Sequence, residues 1–155
     1  MYKKILVPLD GSKNDEVVLE HAKRLVRDLG AALTLILLHR LTPADDPFER
    51  QMQMEEGSWG YKAKERAKVY LPQLEESLSQ EGIRIKTEFL TVEEPEADAI
   101  VKYAENNDFD LIMLANRVKS PIGSFFFGNI EEKVRRRSSL PVLFVSMAKD
   151  KEKSR

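Results

Sequence analysis

Apolar runs and helical stripes alternate along this chain. Lys4 to Leu9 is an apolar run ending at Pro8-Leu9-Asp10-Gly11-Ser12, which predicts a strand and then a turn. From Asn14 to Leu29, Val18, Ala22, Leu25 and Leu29 recur at helical spacing, and Gly30 is placed to stop the helix. Ala32 to His39 is almost wholly apolar, as expected of a strand covered on both faces. Ile83 to Thr91 predicts a third strand, punctuated by Gly82 and Pro95. Ala97, Ile100, Val101 and Ala104 mark one face of a short helix over 97–106. Asp110 to Ala115 reads as the fourth strand, Ile130 to Arg137 as the last helix, and Leu140 to Ser146 as the fifth strand.

The least regular part lies between the second and third strands. Leu41 to Gly60 mixes proline, acidic residues and isolated Met and Phe, and predicts a surface loop or flap in which Trp59 covers or packs onto a cleft. Tyr61 to Gln80 carries Ala63, Ala67, Leu71, Leu74 and Leu78 at helical spacing, with Pro72 inside the pattern, so this helix is expected to kink or restart there. One domain over 1–147 and a disordered charged tail over 148–155 account for the chain.

Strands that alternate with helices define an α/β protein, a single three-layer α/β/α domain around a five-stranded parallel sheet. In such a sheet ligands gather beyond the carboxyl ends of the strands, where the strand order reverses. The ends of strands one and four, near Asp10 and Ala115, are the natural candidates. The stretch from Leu111 to Val134 reads as a buried strand, a long loop and a helix capped by Gly128-Asn129, which aims a helix N-terminus at that edge.

Bulk chemistry narrows the function. The 155 residues suit one domain with a sizeable core, and the net charge of -1 offers no general attraction to nucleic acid or an anionic membrane. With no cysteine there is no disulfide, thiolate zinc site or cysteine nucleophile. The opening apolar run is too short for a signal peptide or a membrane span, so a cytoplasmic location is the default expectation. His21 falls on the first helix and His39 at a strand end, with no third ligand at metal spacing. No Gly-x-Ser-x-Gly elbow, P-loop lysine motif or His-Glu-x-x-His occurs, and no carboxylate pair stands out, so no catalytic residue is assigned.

Lys4-Ile-Leu-Val-Pro-Leu-Asp-Gly-Ser12, Leu37-Leu-His39, Asp110-Leu-Ile-Met113, and Gly128 to Val134 followed by Pro141-Val-Leu-Phe-Val145 together resemble the universal stress protein family over about residues 2–147. The resemblance implies a Rossmann-like domain of the adenine-nucleotide alpha hydrolase type, usually a homodimer, often paired through the last strand. ATP-binding members carry glycine, two residues, glycine, nine residues, then glycine with serine or threonine. Ala115, Val118, Gly128 and Asn129 stand at those positions here, so the spacing is kept while two glycines and the hydroxyl are lost. Arg40 stands where binding members commonly place a small apolar residue against the adenosine. Pro8, Asp10 and Gly128 match outright.

Each candidate has a functional and a structural reading. Asp10 either accepts a hydrogen bond from an adenine amino group or closes an Asx turn before the first helix. Val118, if it kept a positive φ, would be strained by roughly 1–3 kcal/mol, so a different loop path is expected. Pro121 removes a further N–H donor. Asn129 preserves the helix cap, and Glu131 and Glu132 set negative charge near any bound phosphate. Arg117 and Lys119 could replace the lost backbone donors, or simply be solvated loop charges. Phe125-Phe-Phe127 suits core packing or a dimer contact, and Arg135-Arg-Arg137 complements a helix C-terminus.

The expected function is therefore a non-enzymatic stress-response protein. It is a homodimer through strand 141–146, acting on an unidentified regulatory protein partner, with weak or no ATP binding. The alternative is an adenine-nucleotide switch with ATP held at Pro8, Asp10, Arg40, Ala115, Arg117, Val118, Lys119, Gly128 and Asn129.

Overall fold

Ile5, Leu6 and Val7 are fully buried in succession, so the first strand is covered on both faces. In a computed structural model that describes residues 1–41, 51, 59–116 and 130–146, the elements run β1 (Lys4–Leu9), α1 (Asn14–Leu29), β2 (Ala32–Arg40), α2 (Trp59–Gln80), β3 (Ile85–Val92), α3 (Glu96–Asn106), β4 (Leu111–Asn116), α4 (Ile130–Arg137) and β5 (Val142–Ser146). The five strands form one sheet in the order β3-β2-β1-β4-β5, and every pairing is parallel. The expected α/β/α architecture is the one observed.

The two-residue period of the strands sorts the core into two layers. Ile5, Val7, Leu33, Leu35, Leu111 and Met113 pack with Val18, Ala22, Ala67 and Leu71 under α1 and α2. Leu6, Ile36, Ile112 and Leu114 pack with Ile100, Ala104 and Val134 under α3 and α4. Burying a large aliphatic side chain contributes about 1.5–3 kcal/mol, so these layers carry the fold.

Several boundaries differ from expectation for physical reasons. Along α1 the buried stripe is Asp15, Val18, Leu19, Ala22 and Val26, whereas Leu29 is 42% exposed. Gly30 stops the helix in the left-handed region at φ 65°, its N–H bonded to the Val26 carbonyl, and leaves Leu29 at the surface. Helix α2 begins at Trp59, not after Gly60, and runs through Pro72 without a break. Pro72 and Lys68 are both exposed, so water can satisfy the Lys68 carbonyl that proline leaves without its helical donor. Asp110 precedes β4 instead of opening it. Its carboxylate accepts the Lys3 N–H at 2.8 Å and the Lys4 N–H at 3.1 Å, which ties β1 to the start of β4. Ile83 is buried ahead of β3, where the Arg84 carbonyl accepts the Leu33 N–H. The flap expected over most of 41–60, the Phe125-Phe-Phe127 run and the tail over 148–155 lie outside the described residues.

Candidate functional site

The order β3-β2-β1-β4-β5 reverses between β1 and β4. From β1 the chain passes to α1 on one face of the sheet, and α4, which follows β4, lies on the other. The diverging connections leave a crevice at the carboxyl ends of these two central strands.

The turn after β1 is built by its own polar groups. Asp10 is exposed, and its Oδ1 accepts the Ser12 N–H at 2.8 Å, so the Asx turn considered for this residue is formed. Gly11 supplies the left-handed step at φ 79°. Ser12 Oγ then accepts the Asn14 N–H at 3.2 Å, which satisfies a donor at the start of α1.

Asp15, not singled out from the sequence, organises this turn from below. It is only 3% exposed, and its carboxylate accepts the Asp10 N–H at 3.1 Å, the Gly11 N–H at 2.8 Å and the Tyr70 O–H at 3.0 Å. Burial pushes the carboxyl up to about 6, and the neighbouring charge of Asp10 adds to the rise against the pull of the donated N–H groups. Burial and the Asp15 carboxylate also raise the Tyr70 phenol well above its ordinary value. Asp15 sits three residues before Val18 on the buried stripe of α1, and a carboxylate at such a position is the signal that sequence inspection could have used.

The crevice has an apolar floor of Leu38, Ile100, Leu114 and Ile130, with Pro8 and Ala115 at the two strand ends. Four carboxyl side chains line it as well: Asp10, Asp15, Glu96 and Glu131. No lysine, arginine or histidine is among its described lining residues. The cavity encloses about 50 Å³, against roughly 300–1,000 Å³ for an ordinary small-molecule pocket. The described part of this surface can accept hydrogen bonds from amino or hydroxyl groups, and its carboxyl groups do not favour a phosphate.

The structure thus brings Pro8, Asp10 and Ala115 together at the crevice. Arg40 is exposed at the end of β2, in register with Val92, and does not line it. Arg117, Val118, Lys119, Gly128 and Asn129, together with Pro121, lie outside the described residues. Glu96, contributed by the first turn of α3, was not anticipated.

A parallel sheet with a crevice at its switch point places the chain in the nucleotide-binding class of α/β folds. The model of the universal stress protein family matches residues 1–146, and the chain belongs to that family. Universal stress protein MJ0577 of Methanocaldococcus jannaschii is 30% identical, with 94% of this chain and 95% of the relative covered. Its solved structure superposes with a TM-score of 0.71 at 28% identity, over 97% of this chain and 99% of that one. Universal stress protein MJ0531 of the same organism is 28% identical over 96% of this chain and 85% of its own length. The fold is shared with a universal stress protein of Archaeoglobus fulgidus solved in complex with dAMP, at a TM-score of 0.61 and 21% identity, over 92% of this chain and 97% of that one.

Proposed function

We propose that this chain is a non-enzymatic stress-response protein of the cytoplasm that acts through protein contacts and binds ATP weakly or not at all. The observation that carries this reading is the acidic lining of the crevice. Asp15, Glu96 and Glu131 add three carboxyl groups to a crevice whose Asp10 the ATP-binding members share, where a phosphate would need cations or backbone donors. The substitutions Ala115 and Val118 at the family's glycine positions act in the same direction. Homodimerisation is part of the proposal: β5 is an edge of the sheet, and Leu143 on it is 42% exposed. The partner of the dimer is a regulatory protein of unidentified kind.

A second reading, an adenine-nucleotide switch, draws on the apolar floor beside Pro8 and Asp10 and on the Archaeoglobus protein solved with dAMP. In that case Arg117 and Lys119 supply the phosphate contacts. Calorimetric titration of refolded, ligand-stripped protein with ATP, with and without magnesium, separates the two. Absence of heat at millimolar ATP is the expected result; micromolar binding would establish the switch instead.

A further inference from the structure

A second cavity opens on the opposite side of the sheet, between the carboxyl ends of β2 and β3 and helix α2, and encloses about 280 Å³. Leu37, Ala67 and Phe89 in its walls pack into the α1 and α2 layer of the core. The floor of the switch-point crevice belongs instead to the α3 and α4 layer, and only Leu38, at the strand end, borders both spaces. The two spaces approach each other only near the turn after β1, where Gly11 borders this cavity and Asp10 and Asp15 the other.

The one formal charge among the described residues around this cavity, on Arg66, is of the other sign. Arg66, His39 and the Tyr70 phenol border it, and no carboxyl side chain is among its described lining residues. Arg66 is exposed and forms no hydrogen bond or ion pair to any described residue, so its planar fork of donors is available to a carboxylate. The volume lies just below the roughly 300 Å³ at which ordinary ligand pockets begin, which suits a single ring or a short chain. Apolar walls beneath one cation describe an amphipathic monoacid.

We propose that this cavity is a binding site for a small organic monocarboxylate, with its ring or chain against Leu37, Ala67 and Phe89 and its carboxylate on Arg66. The site requires neither nucleotide nor dimer, so it stands apart from the function proposed above. Its occupant would nevertheless lie beside Tyr70, whose O–H is held by Asp15 of the other crevice.

The test is titration of the intact isotopically labelled protein with 3-phenylpropionate, followed through backbone amide chemical shifts. Saturable shifts centred on Leu37, Ala67 and Phe89 are expected. Arg66→Gln, at an exposed position, should weaken binding about tenfold, as should replacement of the probe by its neutral amide. Ala63→Trp, which fills the mouth from α2, should abolish the shifts. No saturable shift at millimolar probe overturns the proposal. So do shifts confined to Asp10 and Ala115, or an affinity that neither Arg66→Gln nor the neutral amide changes.

Discussion

Tyr70 on α2 donates its phenolic O–H to Asp15 on α1 at 3.0 Å, across 55 residues of sequence. The same carboxylate holds the Asp10 and Gly11 N–H groups, so one buried side chain joins two helices to the turn after β1. Three donors converge on it, and their loss should be visible in stability. Asp15→Ala leaves all three without a partner and is expected to destabilise the fold by about 2–4 kcal/mol. Tyr70→Phe removes one donor and should cost about 1 kcal/mol. The double variant should lose less than the sum, because the two single changes remove a shared interaction. Urea unfolding of the four proteins measures this, and strict additivity would show that the contact contributes nothing.

The raised pKa of Asp15 has its own signature. In the unfolded chain an aspartate titrates at about 3.9, whereas in the fold this one titrates at about 6. Between those values the folded protein keeps a proton that the unfolded chain has released. The resulting contribution is complete below about pH 4 and disappears as pH rises through 6, a loss of roughly 2–3 kcal/mol. Exposed carboxylates elsewhere in the chain give trends of the opposite sign, so the informative quantity is a difference. Relative to Asp15→Asn, which does not titrate, the native protein should lose stability between pH 4 and pH 7. A difference that stays flat over that range would mean that Asp15 ionises like a surface aspartate.

The strands were legible because their signal is short-range and strong. Both faces of this sheet are covered, so Ile5 to Val7 is apolar without interruption and Leu33 to Ile36 admits a single small polar residue, the buried Thr34. The start of α2 was not legible. Gly60 in its first turn argues against a helix, and packing of Ala67, Leu71 and Leu78 further along outweighs that local preference. The position of the crevice followed from topology and from the resemblance, through Pro8, Asp10 and Ala115. Its acidic character followed only in part, through Asp10 and Glu131; Asp15 and Glu96 come from separate helices, and no local pattern places them at the same crevice. The Asp15–Tyr70 contact was hidden for the same reason: hydrophobic periodicity reports where a helix is buried, and says nothing about which polar groups meet inside.

Restoring the family's glycines tests whether the loop alone would account for the weak nucleotide binding proposed above. Ala115→Gly combined with Val118→Gly frees the backbone but leaves the carboxylates of the crevice in place. The double variant is therefore expected to show no micromolar ATP binding by calorimetry. Adding Glu96→Gln and Glu131→Gln to it should strengthen any residual binding several-fold, with the larger gain at low salt. Micromolar binding by the glycine variant alone would assign the defect to the loop and remove the electrostatic explanation.

The dimer proposed for the last strand makes a sharper demand on one residue. β5 pairs with β4 along one side only, and Val142, Leu143 and Phe144 stand at the outer edge of the sheet. Leu143 is 42% exposed in the single chain, an aliphatic side chain on an edge that would otherwise invite unspecific pairing. Leu143→Lys should therefore convert a dimer into a monomer while changing the stability of the separate chain by no more than about 0.5 kcal/mol. Sedimentation velocity reads the first effect, and unfolding at concentrations where the monomer dominates reads the second. A native protein that sediments as a monomer, or a variant that stays dimeric, would place the subunit contact elsewhere or remove it, and the exposed edge would then need another partner.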